Sequence, residues 1–132
     1  MREIKFRAKV ENEDGIIELK IVSRLTMFSG GGLYYAYCEN DDYEYRLDPS
    51  DLMQFTGLKD RNGVEIYEGD IVKDNHPFVP NKKIQYVEWL DEGACFIFRD
   101  KSGDDWWCPN CDYVGARMAV IGNIYDNPEL LK

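Results

Sequence analysis

The sequence predicts a small, mainly β protein, on three observations. Apolar and polar residues alternate in runs of about five to seven, the period-two pattern of half-buried strands. Turn chemistry built from Gly, Asn, Asp and Pro separates these runs about every eight to twelve residues, the spacing of a small barrel or sandwich. Before the C-terminus, no stretch sustains the 3.6-residue apolar period of a long amphipathic helix.

Taken in order, Ile4 to Val10 alternates apolar and basic side chains and reads as a strand. Asn12 and Asp14-Gly15 supply a turn, and Ile16 to Val22 resumes the pattern, so a hairpin is expected. Gly30-Gly31-Gly32 precedes a tyrosine-rich strand from Leu33 to Cys38. Glu39 to Asp42 reverses the chain and Tyr43 to Leu47 completes a second hairpin. Pro49-Ser50-Asp51 reads as the cap of one helical turn at Leu52-Met53-Gln54. Asn62-Gly63 is a tight turn before Val64 to Tyr67, and Glu68-Gly69-Asp70 launches Ile71 to Lys73. A loop carrying Pro77 and Pro80 leads to a strand from Ile84 to Leu90, and Asp91-Glu92-Gly93 turns into Ala94 to Arg99. The pair Trp106-Trp107 follows, then a last strand from Met118 to Ile124 and a short terminal helix opened by Pro128. The layout from Gly69 to Ile121 predicts an SH3-like barrel. The expected organisation is an N-terminal hairpin region, residues 1–50, packed against a barrel region, residues 51–132, as one compact unit.

With 44% hydrophobic and 14% aromatic residues among 132, the chain can build a core and is not expected to be disordered. No run approaches the ~18 apolar residues of a membrane span. Met1-Arg2-Glu3-Ile4-Lys5 alternates charge instead of forming the apolar run of a signal peptide. A soluble cytoplasmic protein without membrane partners is expected. The net charge of −9 is spread along the chain with no basic block, which argues against a general nucleic-acid binder. One local exception is the basic N-terminus: Lys5, Arg7 and Lys9 would share the exposed face of the first strand and, with Arg2, could contact phosphate.

At "REIKFRA" (2–8), "LMQFTGLKDRNGVEIYEGDIVK" (52–73) and "VIGNIYDNPELL" (120–131) the chain resembles the YopX family of small proteins encoded by bacteriophages and prophages. The three blocks occur in the family's order. The resemblance implies a phage or prophage origin, the cytoplasm of a bacterial host and a mainly β fold. It brings no catalytic residues to carry over.

The sharpest chemical signal is Cys108-Pro109-Asn110-Cys111, whose spacing lets both sulfurs of a tight knuckle face one ion. Structural zinc takes four ligands, so Cys95 and Cys38 would have to complete the set. Ordinary cytosolic thiols, with no cofactor, are the plainer expectation. A redox CxxC needs a helix beginning at the motif, whereas Asp112 to Gly115 reads as strand or loop. Glu65, Glu68 and Asp70 suit wet turns better than acid–base chemistry. Gly30-Gly31-Gly32 lacks the Lys-Ser/Thr that follows in a phosphate-binding loop, and the single histidine, His76, has no Ser or Cys beside it. No catalytic residue is assigned and an enzyme is not expected. The aromatic surplus points instead to contact surfaces. Adjacent strand residues face opposite ways, so one of Trp106 and Trp107 should project outward. With Lys82 and Lys83 they outline an expected surface for a host or phage protein, and open sheet edges would also allow a homo-oligomer.

Overall fold

The computed structural model describes residues 3–28, 30, 32–75 and 84–132; Arg2, His76, Lys82 and Lys83 lie outside this set. Among the described residues the fold is mainly β, with two antiparallel sheets and one α-helix. It divides into two compact units, Met1–Gln54 and Phe55–Lys132.

The first unit begins with the hairpin of β1 (Phe6–Glu11) and β2 (Ile17–Thr26), paired from Arg7↔Ile21 to Glu11↔Ile17. Asn12 closes its turn, because its side-chain oxygen accepts from the Asp14 and Ile16 N–H groups at 2.9 Å each. A second hairpin joins β3 (Tyr34–Cys38) to β4 (Glu44–Leu47). The sheet runs β4-β3-β2-β1 and then takes the start of β5 (Leu52–Lys59) against β1. Alternate residues of β1, β3 and β4 point to one core of Ala8, Val10, Ala36, Cys38, Tyr45 and Leu47. Strands β1 and β4 both feed this core although two strands separate them in the sheet, so the sheet is strongly curved.

The helical turn expected at Leu52–Gln54 forms one step earlier, as a 3₁₀ turn at Pro49–Asp51. Asp48 accepts from Ser50 N–H while Asp51 accepts from Asp48 N–H, a reciprocal cap. Leu52 is already extended (φ −90°, ψ 137°), and the chain continues as β5, a strand that periodicity alone did not reveal.

In the second unit β5 pairs with β6 (Glu65–Tyr67). A five-stranded sheet follows from β7 (Asp70–Asp74), β8 (Ile84–Leu90), β9 (Cys95–Asp100), β10 (Trp106–Trp107) and β11 (Met118–Asn123), in the order β10-β9-β8-β7-β11. Its core holds Ile66, Val72, Val87, Phe98, Val114 and Met118. The barrel expected here is not closed: β10 and β11 stand at the two edges of the sheet. Pro109, which lacks an N–H to extend the ladder, stands two residues beyond the end of β10. Between the edges lies α1 (Cys111–Arg117), where the sequence suggested strand or loop. Asn110 caps it by accepting from Tyr113 N–H at 2.9 Å, Val114 is buried beneath it, and Tyr113 donates to Asp74 Oδ2 at 2.5 Å. The expected terminal helix is a 3₁₀ turn, Pro128–Leu131.

Two glycines position the last strand. Gly69 (φ +82°) donates to Val87 O and accepts from Ile124 N–H, joining the turn before β7 to both β8 and the end of β11. At Gly122 a Cβ would lie 2.5 Å from Asn127 Oδ1, the atom that accepts from Asn123 N–H at 3.2 Å.

Candidate functional site

The edge strand β10 sends its two tryptophans to opposite faces. Trp107, opposite Phe98, turns inward: its Nε1–H donates to buried Gln85 Oε1 at 2.9 Å, and its ring meets Phe98 and Tyr113 edge-on at 5.5 and 5.4 Å. Trp106, opposite Arg99, is 49% exposed. Arg99 is itself fixed, donating to Glu88 Oε2 at 2.6 Å and to Gly103 O at 2.9 Å, and the Glu88 carboxylate pushes the guanidinium pKa up. A rigid cation therefore sits opposite an outward-facing indole. On β8, Trp89 is also exposed and packs edge-on against its cross-strand partner Phe96 at 5.0 Å. Trp89 stands three positions from Tyr86, the residue in the Trp106–Arg99 row, and so faces the other side of the sheet. The contact surface rests on Trp106 and Arg99, where an aromatic on a stiff backbone loses little side-chain entropy on binding.

Of the four thiols the structure brings two together. Cys95 Sγ and Cys108 Sγ lie 3.7 Å apart, and the shared hydrogen bond, then partial burial, raises the Cys95 pKa. Cys111 is exposed at the first position of α1. Cys38, 2% exposed, belongs to the core of the first unit, where burial pushes its thiol pKa up. Among the described residues no group of three or more Cys, His, Asp or Glu is already gathered at metal-holding distance.

The first unit carries a groove of about 380 Å³ whose lining includes Lys9, Glu11, Ile17, Tyr43, Arg46 and Asp51. Beside it, Asp41 Oδ2 accepts from Tyr45 Oη at 2.5 Å and from Lys20 Nζ at 2.8 Å, while Oδ1 accepts from Tyr43 N–H at 3.0 Å. The Lys20 ammonium, then the Tyr45 hydroxyl, hold the Asp41 carboxyl at about 2, and the carboxylate in turn raises the pKa of Lys20 and of Tyr45. At neutral pH Asp41 is locked as carboxylate and Lys20 as ammonium. Neither is poised to exchange protons with a substrate, so the cluster organises the turn and colours the groove electrostatically. Sequence reading missed this network; the run Asn40-Asp41-Asp42, with Asn40 in a left-handed conformation, was its one local signal.

The basic side chains of the first strand have local partners. Lys5 pairs with Glu3 at 3.1 Å and Lys9 with Asp51 at 3.6 Å, while Arg7 donates to Met53 Sδ at 3.3 Å. Phosphate would have to compete with these contacts. Glu65, Glu68 and Asp70 do not form an open acidic site. Asp70 is buried and its carboxylate accepts from Tyr67 N–H at 2.8 Å, fixing the turn around Gly69.

The model of the YopX protein family matches residues 5–132, nearly the whole chain. A search of curated proteins finds no match. Among solved structures the chain is similar to protein EF1440 from Enterococcus faecalis, with 26% identity and a TM-score of 0.57 over 100% of both chains. No helix of the described residues is long and apolar enough to cross a membrane.

Proposed function

The chain belongs to the YopX family, and from that membership together with its edge-strand aromatics we propose that it is a non-enzymatic phage or prophage accessory protein. In this reading it acts in the cytoplasm of a bacterial host by binding a host or phage protein. The carrying observation is the β10 pair: Trp107 is anchored in the core while Trp106 is half exposed opposite the fixed Arg99. An indole presented this way on a sheet edge has the character of a binding hot spot, and the edge offers backbone groups to an added strand. The strand order, with β11 beside β7 and a helix just before β11, supports reading the second unit as SH3-like, open on one side. The locked Lys20–Asp41–Tyr45 network favours binding over acid–base chemistry.

The test is affinity capture from host lysate, before and after infection, with wild type and Trp106→Ala in parallel. A specific protein retained by wild type and reduced at least tenfold by the variant, about 1.4 kcal/mol of binding, is the expected outcome. Equal recovery on both baits would reject this surface.

A further inference from the structure

We propose that Cys95, Cys108 and Cys111 form a site for one thiophilic divalent cation of the zinc class, built wholly within the second unit. Trp106 opposes Arg99 and Trp107 opposes Phe98, so the chain leaving β10 carries Cys108 back alongside the start of β9, where Cys95 stands. Two sulfurs 13 residues apart in sequence are thereby set 3.7 Å from each other. A tetrahedral ion with metal–sulfur bonds of about 2.3 Å holds neighbouring sulfurs about 3.8 Å apart. The pair thus already spans one edge of the required tetrahedron, and little backbone rearrangement is asked of it.

The third ligand comes from the turn that ends β10. Pro109 lacks the N–H to continue the ladder and the Asn110 side chain caps α1, so Cys111, three residues after Cys108, opens the helix. Cys111 does not itself stand within metal-holding distance of the Cys95–Cys108 pair. Its sulfur lies 3.9 Å from Asp112 Oδ1, a weak contact, and loading requires it to leave that contact and move to the ion. Cys108 and Cys111 are exposed and Cys95 is half-buried, so an ion can enter from solvent and the fourth corner stays open to water. Thiols bind as thiolates, so loading releases their protons and affinity rises with pH. Cys38, in the core of the first unit, takes no part. The bound ion would tie β9, β10 and α1 together beside Trp106. This inference is independent of the protein-binding reading, because neither needs the other.

The probe is cobalt(II), titrated anaerobically into the full chain after metal removal and reduction with a phosphine. The expected result is a sulfur-to-cobalt charge-transfer band saturating at one equivalent and bleached by zinc(II). Cys95→Ser, Cys108→Ser and Cys111→Ser should each weaken affinity at least tenfold, and Cys38→Ser should leave it unchanged. Alkylation of wild type mapped by mass spectrometry needs no variant: zinc should protect Cys95, Cys108 and Cys111 together. Absence of the band in fully reduced protein, or alkylation of Cys95 undiminished by zinc, would overturn the proposal.

Discussion

Asp60 holds three backbone N–H groups on its carboxylate. It is 4% exposed, and its Oδ1 accepts from Asn62 and Val64 N–H at 2.8 and 2.9 Å while Oδ2 accepts from Val120 N–H at 2.9 Å. One carboxylate therefore shapes the Asn62-Gly63 turn and pins it to β11. Asp60→Ala strands several backbone donors, and a loss of about 3 kcal/mol is expected in urea unfolding at unchanged m-value. A loss below about 1 kcal/mol would mean that water replaces the carboxylate. Asp41 makes a prediction of pH. Its folded-state pKa is lowered from 3.8 to about 2 by Lys20 and then Tyr45, so the stabilisation is complete above pH 4 or so and is lost as pH falls toward about 2. Between those limits the melting temperature of wild type should fall more steeply than that of Asp41→Asn. Parallel curves would show that the network carries no linkage.

At the scale of elements, β10 and α1 separate structure from surface. Trp107→Ala removes a ring that packs on Phe98 and Tyr113 and is expected to cost about 3 kcal/mol, whereas Trp106→Ala should stay within about 0.5 kcal/mol of wild type by thermal melting. Reversed costs would mean that the outward indole is part of the core. Strands such as β1 were legible because Ile4 to Val10 alternates apolar and basic residues ahead of the Asn12 turn. β5 was not, because Pro49-Ser50-Asp51 mimics the start of a helix and Gly57 interrupts the strand pattern; the cap is real, but it closes only one turn. α1 was hidden because Tyr113, Val114 and Gly115 are poor helix formers. What holds it is tertiary: Val114 in the core and the Tyr113–Asp74 hydrogen bond, 39 residues apart in sequence. The outward and inward tryptophans could be read from strand alternation. The Cys95–Cys108 approach depends on the β9–β10 register, which Asp100 to Asp105 do not reveal by composition alone.

Across the whole molecule, charge sets which partners are approached and which repelled. With a net −9 and the strand-one bases engaged by Glu3, Asp51 and Met53, the summed field opposes a polyanion. No retardation of single- or double-stranded DNA is therefore expected in a gel-shift series extending to low salt. A shift that weakens steadily with added salt would return nucleic acid to consideration as the ligand. The barrel expected from the turn spacing does not close: the five-stranded sheet ends at β10 on one side and β11 on the other. Alternation reports which residues face inward; closure depends on how far the edge strands extend, and β10 stops after two residues.

The pairing of β11 with β7 has a consequence for the chain as it is made. A polypeptide leaving the ribosome from its N-terminus has every strand of the first unit available once residue 54 has cleared the tunnel. The second sheet waits for Met118–Asn123 before β7 gains its other neighbour and Asp60 its Val120 donor. Translation thus delivers an early half and a late half. A stall or premature stop before the final strand would leave an exposed β7 flank, the sort of unfinished surface that chaperones and proteases recognise.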